Sequence, residues 1–347
     1  MRRGHRILRI SALITVTLLV GAIAAVAWLW WFYRQTLEAP LAHLATPLDV
    51  EIPRGASVRA VARLLEREGA FAHPWMLVVE ARRRDLATRI QAGEYQLRPG
   101  ETPRELLARF AAGDTKRYRI TLIEGQTFIA ALKHIRAHPK IAAVDLADGA
   151  LGDPARLVDI YGLPFAHPEG SIYPDTYEFS KGATDSDIVA RASERLLREL
   201  RDAWAGRAEG LPLGSPYEAL ILASIVEKET AVPAERPRIA GVFVRRLERG
   251  MKLQTDPTVI YGLGRGFDGD LRRRDLTTDT PYNTYTRAGL PPTPIALVGR
   301  AAIDAALTPA DGEALYFVAR GDGTHAFSAT YAEHRRAVRR YQLGGTR

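Results

Sequence analysis

The chain has 347 residues, room for two domains and an appendage, and its 25% charged and 8% aromatic content is that of a folded protein. It has no cysteine, which excludes disulfides, thiolate nucleophiles and cysteine-based zinc sites. A net charge of +8 suits an anionic partner: nucleic acid, lipid headgroups or an acidic polymer.

Residues 10–33 carry no charged side chain, a stretch long enough to cross a hydrocarbon core with some tilt. Arg2, Arg3, Arg6 and Arg9 precede it, whereas Arg34 and Glu38 follow. That bias puts residues 1–9 in the cytoplasm and the remainder outside. Trp28, Trp30, Trp31, Phe32 and Tyr33 make an aromatic belt at the outer end. Ala25-Val26-Ala27 also resembles a signal-peptide cleavage site, but cleavage there would leave a mature chain opening on that greasy cluster. An uncleaved helix over 10–33 is therefore expected. An export address counts against nucleic acid as the partner.

Residues 34–46 read as a linker containing Pro40. Leu48-Asp49-Val50-Glu51-Ile52 alternates as a strand. Ser57 caps a helix to about residue 68, with Val58, Val61, Ala62 and Leu65 on one face. A second helix follows Pro74 through Leu77, Val78 and Ala81. Gly93-Glu94-Tyr95-Gln96-Leu97 is a strand, Thr102 opens a helix, and Gly113-Asp114 turns into a strand over 118–122. Residues 47–117 thus form a small α+β unit with no acid pair, metal cluster or nucleophile motif. Binding or spacing is its expected role, and a mere pedestal explains it as well.

Residues 118–347 carry the larger α+β domain. Ile123-Glu124-Gly125-Gln126-Thr127 precedes a helix through Ala131 and Ile135. Glu169-Gly170-Ser171-Ile172-Tyr173-Pro174-Asp175-Thr176-Tyr177 mixes aromatic and carboxylate groups, a combination that suits sugar recognition but is also ordinary core. A helix over about 185–204 leads to Ser215-Pro216-Tyr217-Glu218, which has the capping-box pattern. Positions 219–226 contain no Gly, Pro or charge, and the run then ends in Glu227-Lys228-Glu229-Thr230. Burying a carboxylate is costly and raises its pKa, so a Glu closing a core helix is a candidate general acid. Glu229 lies three, four and seven residues after Val226, Ile225 and Leu222, continuing the bulky stripe. Glu227 follows the small-residue face of Ser224 and Ala223. From spacing alone, the three charges serve equally as the solvated last turn of a core helix.

Farther on, a helix over 239–247 stops at Gly250, and Leu253-Gln254-Thr255-Asp256-Pro257-Thr258 opens another. Asp256 is expected at its N-cap with Pro257 at the first helical position, and capping alone could account for that carboxylate. Thr280-Pro281-Tyr282-Asn283-Thr284-Tyr285 and Gly289-Leu290-Pro291-Pro292 are loops long enough to line a groove. Strands near 315–318 and 326–327 flank Gly321-Asp322-Gly323 as a hairpin. His325 on it reads as structural, there being no Ser or Asp elbow motif.

Together, Ala223-Ser224-Ile225-Val226-Glu227-Lys228-Glu229-Thr230 and Leu253-Gln254-Thr255-Asp256-Pro257-Thr258-Val259-Ile260-Tyr261-Gly262 closely resemble the endolytic murein transglycosylases (MltG, YceG-like). Tyr282-Asn283-Thr284-Tyr285 and Gly289-Leu290-Pro291-Pro292 match further family segments. The resemblance runs the length of the chain and implies an inner-membrane anchor, a small LysM-like domain and a C-terminal catalytic domain. The family's catalytic Glu falls on Glu229. The sequence departs at Thr293 and Leu297-Val298, where relatives more often read Gly and then Asn-Pro, which puts the shape of that loop in question.

The resemblance implies an endolytic lyase acting between N-acetylmuramic acid and N-acetylglucosamine inside peptidoglycan strands. It would leave 1,6-anhydro ends and terminate nascent glycan. One carboxyl suffices, because the muramic C6 hydroxyl supplies the nucleophile. Gln254, Asp256, Tyr282 and Asn283 are candidates to orient the sugar. No metal or cofactor is expected. Partners would be glycan strands and membrane-bound peptidoglycan synthases (penicillin-binding proteins), with the catalytic domain periplasmic. The alternatives are a hydrolase using Asp175 or Asp256 as second carboxylate, or a non-enzymatic peptidoglycan-binding scaffold.

Overall fold

A computed structural model describes residues 2–41 and 46–344 of the chain. It is a mixed α+β protein of two compact units, Met1–Tyr118 with Ser180–Gly182, and Arg119–Phe179 with Ala183–Arg347. Among the described residues the strands form three two-stranded sheets.

In the first unit, α1 (Arg2–Glu38) is followed by β1 (Leu48–Ile52), α2 (Val58–Arg67), α3 (Pro74–Arg83), β2 (Gly93–Leu97) and α4 (Pro103–Ala112). Strands β1 and β2 pair antiparallel with Val50 opposite Tyr95. The alternation read in β1 is realised, Val50 and Ile52 facing the core and Asp49 and Glu51 the solvent. Ser57 accepts from the Ala60 amide at the start of α2, and Thr102 and Glu105 close a reciprocal capping box at the start of α4.

Helix α1 is long and apolar enough over Ala12–Glu38 to cross a membrane, with a mean hydropathy of 2.4. It runs farther than the sequence suggests. Residues 34–38, read as linker, are helical, and Tyr33, Leu37 and Leu41 are buried with Val50, Met76, Leu77 and Phe110 in the core of the first unit. Tyr33 and Leu37 are one helical turn apart, so the last turns of α1 present a stripe to that core, and Leu41 just beyond the helix extends it. Residues 42–45 of the expected linker, and the side chains of the leading arginines, lie outside the described residues.

Beyond β3 (Arg117–Thr121), the second unit comprises α5 (Phe128–Arg136), α6 (Pro154–Tyr161), β4 (Thr176–Ser180), α7 (Asp185–Ala205), α8 (Pro216–Glu229), α9 (Arg236–Glu248), α10 (Asp256–Leu263), α11 (Arg273–Thr277), α12 (Arg300–Leu307), β5 (Tyr316–Ala319), β6 (His325–Ser328) and α13 (Tyr331–Val338). Helix α9 starts three residues earlier than periodicity indicates, since Pro237 falls in its first turn, where a missing N–H costs nothing. Helix α8 is the axis of this unit and packs on α7, α9, α10 and α12. Every residue of 219–226 is buried, so α8 has no solvent face along that length. Its start departs slightly from the expected box. Ser215 accepts from the Glu218 amide at 3.2 Å, but the Glu218 carboxylate takes the Gly214 amide at 2.7 Å rather than that of Ser215.

Candidate active site

The two glutamates closing α8 have different surroundings. Glu227 accepts from Arg236 at 2.8 Å and from the Gly299 amide at 3.1 Å, and its side chain is only 4% exposed. It is consumed as an internal tie between α8, α9 and the start of α12. Glu229 instead lines a cavity of about 500 Å³ together with Gln254, Asp256, Tyr285, Tyr316 and His325. Its Oε1 accepts the hydroxyl of Thr255, and no described residue donates to Oε2. Burial pushes the Glu229 carboxyl above its ordinary range; the Thr255 bond opposes that shift and the nearby charge of Asp256 adds to it.

The loop facing Glu229 is held by threonines. Gln254 donates its amide to the Thr284 carbonyl at 3.1 Å, and Thr255 donates its amide to the Thr284 hydroxyl at 3.1 Å. Thr258 bonds the Thr255 carbonyl at 2.8 Å and the Thr284 hydroxyl at 2.9 Å. This net is buried and keeps the Thr255 hydroxyl on Glu229. Gln254 sits at φ +49°, a left-handed conformation uncommon for a side chain larger than glycine and characteristic of constrained functional loops.

Asp256 does not cap α10. It is the first residue of the helix, Thr255 takes the N-cap position without a side-chain bond, and the Asp256 carboxylate receives the Tyr285 hydroxyl at 2.5 Å. Both residues could cap, but Thr255 is tied to Glu229 and Asp256 to Tyr285, so neither does.

The four residues expected to orient substrate separate into two groups. Gln254 and Asp256 share the cavity with Glu229. Tyr282 lines a different cavity of about 930 Å³, also bordered by His167, Glu169, Lys228 and Tyr261. There its hydroxyl bonds Thr293 at 2.9 Å, so the departure at Thr293 supplies a partner that glycine could not. Asn283 is buried, its amide nitrogen donating to the carbonyls of Asp275, Leu276 and Thr278 and its oxygen accepting from the Tyr285 amide. It shapes the loop that carries Tyr285 and does not reach Glu229. Leu297 and Val298 are buried, and Leu297 exchanges backbone bonds with Gly125 and Gln126.

Three features of the site were not foreseen. In the sequence, Thr255 reads only as a flank of Asp256. His325 was read as structural, yet it forms part of the cavity wall, its Nδ1 at 2.7 Å from Glu235. Arg246 is a buried cation at the same wall, donating to the carbonyls of Leu315 at 2.7 Å and Leu253 at 2.8 Å. The fourth carboxylate of interest, Glu169, accepts from the Phe128 amide at 2.8 Å and the Tyr261 hydroxyl at 3.2 Å, and burial pushes its pKa up to about 7. Gly170 beside it must be glycine: φ is +73°, and a Cβ would stand 2.7 Å from Pro294.

Residues 50–340 match the model of the YceG-like family. The chain belongs to that family. Among family relatives, the endolytic murein transglycosylase of Bacillus subtilis (strain 168) is 30% identical over 325 residues, covering 90% of this chain and 89% of its own. A second, from Streptococcus pneumoniae (strain D39), is 26% identical and covers 83% of this chain, which spans 57% of that longer protein. The 2.6 Å crystal structure of a YceG-like protein from Listeria monocytogenes superposes with a TM-score of 0.53 at 30% identity, covering 84% of this chain and 98% of that one.

Proposed function

We propose that the chain is an endolytic peptidoglycan lytic transglycosylase with Glu229 as its single acid/base. The observation that carries this is the placement of Glu229: a desolvated carboxyl at the wall of an open cavity, one oxygen held by Thr255 and the other without a donor among the described residues. The names of the relatives support the substrate class.

The chemistry follows from one group in two states. Protonated Glu229 donates through Oε2 to the glycosidic oxygen between N-acetylmuramic acid and N-acetylglucosamine, and the C1–O bond breaks as the alcohol leaves. The muramic C6 hydroxyl then attacks C1, and its proton returns to the Glu229 carboxylate. A 1,6-anhydro ring closes, no water is consumed and the enzyme recovers its starting state. A group that acts first as acid and then as base works best with a pKa near the working pH, which burial favours. Gln254 and Asp256, which share the cavity with Glu229, hold the sugar. In this reading α1 anchors the chain in the inner membrane with the rest periplasmic, the first unit is a LysM-like holder of glycan, and cleavage terminates strands made by neighbouring synthases.

Asp256 favours one second reading, a two-carboxylate hydrolase, because it shares the cavity. Products decide between them. Purified glycan strands digested by the full chain and read by mass spectrometry should carry anhydro-muramyl ends, absent with Glu229→Gln. Reducing ends would establish hydrolysis and overturn the proposal.

A further inference from the structure

Helix α3 crosses α1 at one level. The ring of Phe32 packs edge-on against His73 at 5.6 Å, and the hydroxyl of Tyr33 donates to Glu80 at 2.7 Å. Phe32 and Tyr33 are adjacent, whereas His73 and Glu80 are about 10 Å apart along α3 at 1.5 Å per residue. Helix α3 therefore runs across α1, not along it. The contact of α4 comes later on the same axis, Arg104 pairing with Glu38 at 2.7 Å, and just outside both helices the Leu41 amide donates to the Glu101 carbonyl at 2.8 Å. Of the two, α3 is the layer nearer the apolar span.

The inward face of α3 holds Met76, Leu77, Glu80 and Ala81. Its outward face shows Trp75 at 49% and Val79 at 45% exposure, one turn apart, with exposed Arg82 one turn farther on; Arg83 and Arg84, also exposed, close the helix beside Glu80. Glu80 is the shared carboxylate of Arg83, Arg84 and Arg104, so three guanidiniums meet one buried acid and the end of the helix stays cationic. Arg82 has no ion pair among the described residues. An aromatic and an aliphatic side chain beside a cationic cluster, continuous with the aromatic belt of α1, is the composition of a helix that lies in a bilayer interface.

We propose that α3 lies in the headgroup layer of the membrane that α1 crosses, with anionic phospholipid as its partner. Trp75 and Val79 enter the boundary between headgroups and acyl chains, and Arg82 to Arg84 meet lipid phosphates. The proposal rests on the reading of α1 as a membrane span, and the experiment separates the two.

Because the chain lacks cysteine, a single introduced thiol is a unique labelling site. Leu19→Cys, Val79→Cys and Arg98→Cys are each spin-labelled in the full-length chain and inserted into nanodiscs of phosphatidylcholine with or without phosphatidylglycerol. The label at position 79 should lose access to a water-soluble nickel relaxant and gain access to oxygen, more so with phosphatidylglycerol, while position 98 stays open to nickel. Position 79 as open as position 98, with position 19 shielded, overturns the interfacial helix alone. Shielding at 79 that is equal in both lipids overturns the anionic partner. Position 19 open to nickel overturns the membrane span and the proposal with it.

Discussion

Glu229 closes α8, Thr255 immediately precedes α10, and the hydroxyl of the second donates to Oε1 of the first. The carboxyl is thus positioned from a different segment of the chain than the helix that carries it. That division lets charge, position and fold be tested separately.

Glu229→Gln should abolish release of anhydro ends. Losing a positioned general acid costs roughly 10² to 10⁴ in rate, and a group that serves both proton transfers belongs at the severe end. Glu227→Gln should retain the reaction but lose stability, because Arg236 would be left buried without its carboxylate at a cost of roughly 3 kcal/mol. Turnover measured below the melting transition of each variant distinguishes the two effects.

Opposite shifts in pH profile are expected from two neighbours of Glu229. The first step needs the acid protonated, so kcat/KM should fall as pH rises through its elevated pKa. Asp256→Asn removes a nearby negative charge and should move that fall to lower pH. Thr255→Val removes a bond that favours the carboxylate and should move it to higher pH, with about a tenfold lower kcat from the lost charge-assisted bond. Thr255→Ser should resemble the parent. Identical profiles across the set would remove Glu229 from the acid role.

Glu169 makes a prediction about stability. Its pKa rises from an ordinary 4.5 to about 7 on burial, so the folded protein keeps this proton where the unfolded chain loses it. Its contribution to stability is greatest below pH 4.5 and declines as pH climbs to about 7, by about 3 kcal/mol in total. Glu169→Gln keeps an acceptor for the Phe128 amide and turns an NH2 donor toward the Tyr261 hydroxyl, and it should flatten that part of the curve of melting temperature against pH.

A fragment beginning at residue 47 should have a less stable first unit than one beginning at residue 32. The shorter piece lacks Tyr33, Leu37 and Leu41 from the core. Full burial of each such side chain is worth roughly 1.5–3 kcal/mol, which calorimetry of the two fragments would resolve.

Local signals carried much of the fold and part of the site. Alternation placed Val50 and Ile52 inward, and Ser215-Pro216 marked the start of α8 to the residue. The stripe argument pointed to Glu229 although α8 is buried on every side, because its informative positions are the last three, where the core ends. Leu37 and Leu41 were lost to a linker because Arg34 and Pro40 look like punctuation after a span. Asp256 looked like a cap because an Asp-Pro pair usually is one; its Tyr285 bond joins residues far apart in the chain. The wall bearing His325 and Arg246 is likewise assembled by long-range packing that no window of sequence contains.

The stripe of Tyr33, Leu37 and Leu41 decides how the first unit can move. A flexible leash sets a radius within which a domain wanders. A helix that enters the domain's own core acts as a splint, with no slack between the two. If α1 stands in a bilayer, the first unit keeps a fixed height above it and a fixed bearing about the helix axis. Under the glycan-holding role proposed for it, the unit then meets the polymer only as it passes through that one layer, which turns the choice of strand into a question of altitude.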